Sequence, residues 1–201
     1  MKICFLLCLQ LPLFTTLCTQ TRIIDMHVHA YTAAAIDHKK PPIDFYGNKG
    51  ASSAAELRKQ TFAQFKKYSI AKAVVSGSPE AVAEWVQHDS SHIISKGIMM
   101  FSPADYGMDT LRFEQMVKAK TIEVFGEVAP YYGGTTISDS IWAPYLRICE
   151  RYDVPVAVHT GGGDPGGTYS WSPKARLQLG DPYFIEDILV KYPRLRVYMM
   201  H

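Results

Sequence analysis

The chain has 201 residues, of which 47% are hydrophobic and 20% are charged. This composition is that of an ordinary globular protein with enough apolar residues for one buried core. The formal net charge of +2 comes from 21 basic and 19 acidic residues, without a basic patch or a run of like charge. The composition therefore gives no indication of nucleic-acid binding or of a charged, disordered tail.

The first 18 residues have the pattern of a secretory signal peptide. Lys2 supplies the positive charge, residues 3–14 are mostly apolar, and Thr16 and Cys18 are small residues placed for cleavage after Cys18. The apolar run is shorter than the roughly 20 residues that a transmembrane helix needs. We therefore expect export to the periplasm or the extracellular space, no membrane association after cleavage, and one domain over residues 19–201.

The cysteines do not predict a disulfide bond in the mature chain. Cys4, Cys8 and Cys18 fall in the leader, which leaves Cys149 alone. Cys149 lies in an amphipathic helical pattern, and this position predicts a buried structural thiol rather than a nucleophile.

After the leader, strand and helix patterns alternate along the chain. The strands are expected at residues 22–29, 71–76, 97–101, 121–128, 154–159 and 195–201. Five helices are expected between them, and N-cap residues or a first-turn proline mark their starts. These starts lie near Ser53, Ser78, Asp109, Ser138 and Asp181. Helical connections between successive strands predict a parallel sheet.

Two architectures fit six strands that alternate with helices. A doubly wound dinucleotide-binding sheet would carry a glycine-rich turn after the first strand, where this chain has residues 27–30, His-Val-His-Ala. We therefore predict an α/β fold, a (β/α)8 TIM barrel truncated after its sixth strand. Such a barrel has its active site at the carboxyl ends of the strands and usually about 250 residues, so the domain at 19–201 would be incomplete at its C-terminus.

The first strand carries the strongest chemical signal. In Ile23–His29, apolar residues alternate with Asp25, His27 and His29. Both histidines therefore lie on one face of the strand, at a spacing that can bring two imidazoles onto one metal ion. Two solvated histidines would give the same pattern. Whether this pair belongs to a metal site therefore depends on the residues at the ends of the later strands.

Side chains of the same chemistry stand at the ends of later strands. Glu127 ends the fourth strand, His159 the fifth and His201 the sixth. Because the carboxyl ends of parallel strands meet at one edge of the sheet, we expect these residues and the first-strand pair to surround one cavity. Core packing explains one such histidine more readily than four. The remaining histidines are predicted to be surface residues: His38, His88 and His92.

The loops behind strands four and five predict a small-molecule pocket. Tyr131 and Tyr132 follow strand four, and a glycine-rich loop with a tyrosine and a tryptophan, residues 161–171, follows strand five. Aromatic loops of this kind commonly line ligand pockets. Lys174 and Arg176 are candidates to receive a carboxylate, with solvated surface charge as the alternative.

These motifs together resemble the amidohydrolase superfamily, and most closely its amidohydrolase 2 branch of metal-dependent hydrolases and decarboxylases. The resemblance covers the whole mature chain and implies a barrel of the metal-dependent hydrolase type. The matching segments are Ile24–His29, Gly126–Val128, Pro155–Gly161, Gly180–Pro182 and Leu195–His201.

The resemblance implies that His27, His29 and His159 bind a divalent metal ion, with zinc as the expected cofactor. It implies that His201 binds a second ion or acts as the catalytic acid or base. Glu127 resembles the glutamate of TatD-type nucleases, which ligates metal, and the alternative is a hydrogen-bond acceptor for a ligand histidine. The strand-eight aspartate that completes the site in such proteins has no counterpart among the six strands.

The activity implied by the resemblance is hydrolysis of an amide, ester or lactone bond in a small molecule by metal-activated water. A non-oxidative decarboxylase of the same branch is the first alternative, and an inactive, truncated metal-binding protein is the second. Release of carbon dioxide, as opposed to incorporation of water, separates the two enzymes. Self-association into a homo-oligomer stays open at this point.

Overall fold

The computed structural model describes residues 22–32, 47–163 and 165–201. The predicted signal peptide and His38 lie outside the described residues. Among the residues that are described, no helix is long and apolar enough to cross a membrane.

Six parallel β-strands form one sheet in chain order and make up a half-barrel. The strands are β1 Ile23–Ala30, β2 Ile70–Gly77, β3 Ile93–Met100, β4 Val124–Val128, β5 Val156–Val158 and β6 Val197–Met199. Each strand pairs in parallel with the next one along the chain. Every connection must therefore return along the sheet, and helices make these crossings. The arrangement confirms the predicted α/β barrel class.

A helix of at least eight residues follows each of the first five strands, and after β4 and after β5 a short helix comes before it. The α-helices of the described residues are α1 Ala54–Lys67, α2 Pro79–His88, α3 Thr110–Lys118, α4 Pro130–Gly133, α5 Ala143–Tyr152, α6 Gly167–Ser170 and α7 Phe184–Lys191. The four-residue helices α4 and α6 lie in the loops after β4 and β5, which are the loops predicted to form a pocket.

Three helix starts have the predicted capping chemistry. The side chains of Ser53, Ser78 and Asp109 each accept a hydrogen bond from the backbone N–H three residues later, at 3.1, 3.2 and 2.7 Å. Each bond satisfies one of the N–H groups that a first helical turn leaves without a partner. The capping residues thus set where α1, α2 and α3 begin.

Other element boundaries differ from the prediction. Helix α5 begins at Ala143 rather than near Ser138, because a 3₁₀ turn over residues 140–142 comes first. Helix α7 begins beyond Asp181, whose carboxylate accepts a hydrogen bond from the Tyr183 N–H in a turn. Strand β3 begins four residues earlier than predicted, and β4, β5 and β6 are shorter. Pairing with neighbouring strands, rather than local sequence, decides these strand ends.

The main core lies between the outer face of the sheet and the helices. Phe125 of β4 is fully buried there, with its ring centroid 4.9 Å from Phe113 of α3 and 5.8 Å from Tyr145 of α5. Cys149 of α5 belongs to the same cluster, and burial raises the pKa of its thiol. An uncharged, enclosed thiol agrees with the predicted structural role and not with a nucleophile.

The inner face of the sheet carries a smaller apolar cluster. Val74, Val124 and Ala157, from β2, β4 and β5, are buried against Tyr198 and Met200 of the last strand segment. Side chains that share this face point toward the inside of the half-barrel, where the predicted site residues should also lie.

The two edge strands of the described sheet, β1 and β6, expose apolar side chains. Ile24 and Met26 on the outer face of β1 are 51% and 45% exposed, and Met199 of β6 is 59% exposed. An outer strand also presents backbone N–H and C=O groups to any other strand that approaches. Both edges of the half-barrel are therefore suited to pairing with further β-structure.

We expect the chain spanning residues 19–201 to self-associate through these edges. Ile24→Lys should shift it toward a smaller species, since a lysine on an outer strand opposes edge-to-edge pairing. Size-exclusion chromatography with light scattering measures the change. Leu111→Lys, at a position on α3 that is 64% exposed and distant from both edges, is the control and should leave the elution unchanged. If the Ile24→Lys variant forms a species of the same size as the unsubstituted chain, the β1 edge is not the contact surface.

Candidate metal centre

The structure brings all five predicted site residues together at the carboxyl edge of the sheet. His27 and His29 lie in β1, Glu127 in β4, His159 directly after β5 and His201 two residues after β6. The ring of His201 lies 4.9 Å from that of His27 and 4.6 Å from that of His159, measured between centroids. The four histidines and the glutamate form one cluster, which we call the histidine–glutamate cluster.

The carboxylate of Glu127 lies between two pairs of histidines. Its Oε2 atom is 2.9 Å from Nε2 of His29 and 3.4 Å from Nε2 of His27. Its Oε1 atom is 2.6 Å from Nδ1 of His159 and 3.2 Å from Nε2 of His201. Glu127 is only 3% exposed, so imidazoles rather than water surround its charge.

A shift in strand pairing turns Glu127 toward the inside of the half-barrel. Val124 faces the inner cluster, so strict alternation along β4 would point Glu127 outward. The pairing of β4 with β5 is irregular between Phe125 and Val128, and both of these residues belong to the outer core. Glu127 therefore lies on the inner face beside His159, although simple alternation predicts the other face.

Gly126 allows β4 and β5 to approach closely at the site. A Cβ atom added there would lie 2.2 Å from the Cβ atom of Ala157. The peptide bond between Gly126 and Glu127 is cis. The backbone N–H of His159 donates to the carbonyl of Val128 at 2.9 Å, which keeps the end of β5 against β4. Glycine thus permits the short distance between the Glu127 and His159 side chains.

The two histidines of β1 direct equivalent nitrogens to the same region. Their Nε2 atoms are 2.8 Å apart. Nδ1 of His29 lies 3.1 Å from the hydroxyl oxygen of Tyr31. This contact orients the His29 ring with Nε2 facing Glu127. Tyr31 stands two residues after His29, and this spacing is the signal in the sequence that marks it as a neighbour of that ring.

The cluster changes the proton affinities of its members. Burial on its own raises the pKa of Glu127, but hydrogen bonds from His159, His27 and His29 outweigh burial and hold this pKa well below its usual range. The hydrogen bond to Glu127 raises the pKa of His27 against the effect of burial, and Met200 and the charge of Asp25 add to the increase. The carboxylate therefore stays ionised at every physiological pH.

The donor atoms fit a divalent metal ion. His27, His29 and Glu127 form one group, and Glu127, His159 and His201 another, each with donor atoms within 4.8 Å of one another. Nδ1 of His159 bonds to Glu127, and its buried Nε2 has no hydrogen-bond partner among the described residues. If the proton is on Nδ1, this Nε2 offers a lone pair. Imidazole nitrogens with a carboxylate oxygen suit zinc and other divalent transition metals.

An open cavity of about 560 Å³ adjoins the histidine–glutamate cluster. One side of it is an aromatic wall, formed by Phe101, Tyr132 and Trp171. The ring centroid of Tyr132 lies 4.7 Å from Trp171, 5.1 Å from Phe101 and 5.0 Å from His159. A Cβ atom at Gly163 would lie 2.6 Å from the Tyr132 ring, so a glycine is needed where this loop passes over it. The wall connects the cavity mouth to the cluster.

Several residues named from the sequence are not among the described residues that line this cavity. Tyr131 is buried, and Tyr169 is 95% exposed. Lys174 and Arg176 are surface residues outside the described cavity lining, and the Arg176 guanidinium donates to the carbonyls of Pro173 and Ala175 instead. Neither Lys174 nor Arg176 lines the described cavity, so neither is placed to hold a substrate carboxylate there.

The two remaining described histidines are separate from the metal centre. His88 is exposed at the end of α2, as predicted. His92 is half-buried, with Nδ1 2.6 Å from the carboxylate of Asp89, and its ring packs at 5.9 Å from that of Phe65. Its contact with Asp89 gives it a structural environment rather than a fully solvated one.

The family model for amidohydrolases of the amidohydrolase 2 group matches residues 24–201. The chain therefore belongs to this family of metal-dependent enzymes, which act on small molecules and include hydrolases and decarboxylases. The resemblance inferred from the sequence motifs is confirmed. Comparison with curated protein sequences gives no match.

Solved structures with the same fold come from several bacteria. A 5-carboxyvanillate decarboxylase from Novosphingobium aromaticivorans, complexed with manganese and 4-hydroxy-3-methoxy-5-nitrobenzoic acid, is 14% identical, with a TM-score of 0.60 over 90% of this chain and 65% of that one. The corresponding decarboxylase from Sphingomonas paucimobilis is 10% identical (TM-score 0.58; 89% and 67%). A TIM-barrel protein from Bordetella bronchiseptica is 17% identical (TM-score 0.59; 88% and 66%). The chain thus spans about two thirds of the length of these structures.

Glu127→Gln should weaken zinc binding by about 10- to 100-fold, because the substitution removes the charge that holds the four imidazoles. The measurement is a chelator-competition titration with zinc. Glu123→Gln is the matched control, since Glu123 precedes the same strand but pairs with Lys96 at 3.6 Å, away from the cluster. Equal zinc affinity in both variants would assign Glu127 a purely structural role.

Zinc affinity should also increase with pH. A metal ion binds neutral imidazole and must displace any proton from it. Because the pKa of His27 is raised above 6.5, protons compete at a higher pH than for an ordinary histidine. We expect affinity to rise by about tenfold per pH unit for each proton displaced, and to level off only above the raised pKa. A zinc affinity that already stops increasing below pH 6.5 would contradict this expectation.

Proposed function

We propose that the chain is a metal-dependent, non-oxidative decarboxylase that acts on an aromatic carboxylic acid with a single ring. The observation that carries the proposal is the aromatic wall of Phe101, Tyr132 and Trp171 beside the histidine–glutamate cluster. A cavity of about 560 Å³ is of the size that small-molecule sites have. The two decarboxylases of the same fold support the choice of reaction.

His27, His29 and His159 are the proposed metal ligands, although the donor atoms of His27 and His29 group with Glu127, and those of His159 group with Glu127 and His201. Zinc is the proposed ion, and manganese, present in one structural neighbour, is the alternative. A bound divalent ion supplies Lewis acidity, which orients and polarises a carboxylate or carbonyl oxygen. Glu127 either joins the ligands through Oε2 or orients His159 through Oε1, since its two oxygens face different histidines. Both roles keep a negative charge next to the ion.

The aromatic wall would bind the ring of the substrate. Flat rings pack favourably against aromatic side chains in offset or edge-to-face geometry. The wall is held in place because the Ser172 hydroxyl donates to the Tyr132 carbonyl at 3.0 Å, which ties the loop that carries Trp171 to helix α4. The wall thereby also excludes water from one side of the reacting bond.

His201 would move the proton. Its side chain is 45% exposed, and its Nε2 atom is 3.2 Å from Oε1 of Glu127, so the ring contacts both solvent and the cluster. An imidazole can act as a general acid and carry a proton from solvent to the ring carbon that bears the carboxylate. The carbon–carbon bond then breaks, its electron pair stays with the ring, and carbon dioxide leaves. A new carbon–hydrogen bond replaces the broken one, and no oxidant is needed.

A hydrolase is the second candidate function, and the position of His201 favours it. The same half-exposed imidazole can accept a proton from a water molecule that attacks an amide, ester or lactone carbonyl. Such a substrate would occupy the same cavity. The two reactions differ in which bond breaks and not in which residues surround it.

We also propose that the protein is exported, on the grounds of the signal-peptide pattern in residues 1–18. The catalytic domain would then include residues 19–201.

Product analysis tests the proposed reaction. The chain, loaded with zinc or with manganese, is incubated in ¹⁸O-labelled water with hydroxylated benzoic acids and, separately, with lactones, esters and amides. We expect carbon dioxide and the corresponding phenol in equal amounts, without ¹⁸O in the phenol. ¹⁸O in the product without carbon dioxide would establish the hydrolase instead. Metal binding without either product would identify an inactive metal-binding protein.

Trp171→Ala should weaken binding of a hydroxylated benzoate by about fivefold, the equivalent of about 1 kcal/mol for one aromatic contact. Quenching of tryptophan fluorescence reports binding in the unsubstituted chain, since Trp171 is 51% exposed while the other two tryptophans are buried. Calorimetry compares the variants. Tyr169→Ala, in the same loop but 95% exposed, is the control. Equal loss in both variants would show that the wall does not contact the ring.

A further inference from the structure

His29 must present one particular nitrogen if it is to bind a metal ion. Its Nε2 atom lies 2.9 Å from Oε2 of Glu127 and 2.8 Å from Nε2 of His27, so Nε2 is the nitrogen on the metal side. A neutral imidazole carries one proton, on one of its two nitrogens. Metal binding through Nε2 therefore requires that the proton be on Nδ1.

We propose that Tyr31 is a positioning residue that accepts a hydrogen bond from the Nδ1 proton of His29 when Nε2, which donates to Glu127 in the metal-free chain, binds the metal ion instead. The hydroxyl oxygen of Tyr31 lies 3.1 Å from Nδ1 of His29, and the two rings meet edge to face with centroids 5.9 Å apart. With the proton on Nδ1, the imidazole donates to this oxygen. The inference rests on the proposed metal-dependent function.

The contact between Tyr31 and His29 is local to the end of β1. Successive residues of a strand alternate between its faces, so two residues that are two positions apart share a face. Tyr31 follows His29 at this spacing. The pair therefore forms from the first strand alone and needs no other strand to bring it together.

Tyr31 differs from the groups that orient the other two candidate ligands. The Nε2 atom of His27 contacts His29 and Glu127, which are themselves candidate ligands. Nδ1 of His159 bonds to Glu127, which is itself a candidate ligand. The Tyr31 hydroxyl is thus a group whose removal tests ligand orientation while every candidate ligand is retained. Groups that orient ligand histidines in this way typically change metal affinity by about 10- to 100-fold.

Tyr31 also lines the cavity, so it has a rival role as a substrate contact. Metal binding measured without substrate separates the two roles. A substrate contact leaves zinc affinity unchanged when the hydroxyl is removed, whereas a positioning residue does not.

The test compares the unsubstituted chain with Tyr31→Phe by zinc titration against a chelator, without substrate. We expect the dissociation constant of zinc to increase about 10- to 100-fold in Tyr31→Phe. Tyr169→Phe, which removes a hydroxyl from a tyrosine that is 95% exposed, should bind zinc like the unsubstituted chain. Thermal unfolding of each protein without metal checks that folding is unaltered.

A second measurement does not depend on any variant. Nitrogen-15 NMR of the zinc-loaded, unsubstituted chain should show His29 as the Nδ1–H tautomer, and the Nε2–H tautomer would overturn the proposal. Zinc affinity that is equal in Tyr31→Phe and the unsubstituted chain would also overturn it, with the metal centre intact. An unsubstituted chain that does not bind zinc would instead overturn the metal centre and the proposed function.

Discussion

The buried carboxylate of Glu127 is the interaction on which the rest of the site depends. Taking a carboxylate out of water costs several kcal/mol unless charged or hydrogen-bonding groups replace the water. In this protein four imidazoles do so, at 2.6 to 3.4 Å. Because they come from β1 and from the ends of β5 and β6, the carboxylate of β4 connects four of the six strands at one edge of the sheet.

Parallel pairing makes this convergence possible. All six strands run the same way, so their carboxyl ends lie side by side and each can contribute a residue to one site. Small residues inside the sheet, such as Gly126 against Ala157, let the strands come close enough for short side chains to meet. The apolar layers on the outer face supply stability, which leaves the inner edge free to carry polar groups that stabilise the fold little by themselves.

The same geometry serves two chemistries within the amidohydrolase family. A metal ion beside an imidazole that reaches solvent can assist loss of carbon dioxide or attack by water. What separates these outcomes is the molecule that the cavity admits. The aromatic wall therefore decides the proposed function more than the ligands do, since the ligands are compatible with both reactions. The family model matches residues 24–201 but does not identify a substrate. The reason is that the cavity, and not the shared set of ligands, selects the molecule that binds.

Local patterns in the sequence determined the strand–helix alternation, the caps of the first three helices and the common face of His27 and His29, because each depends on neighbours within a few residues. They also predicted which side chains at the strand ends lie together in the histidine–glutamate cluster. The sequence placed Glu127 at the cavity because it ends a strand. Only the tertiary structure showed how Glu127 comes to face inward, since the change of face arises from the pairing of β4 with β5. It likewise selected Tyr132 and Trp171, rather than their neighbours, to line the cavity, because loop packing between separate parts of the chain sets which ring is enclosed.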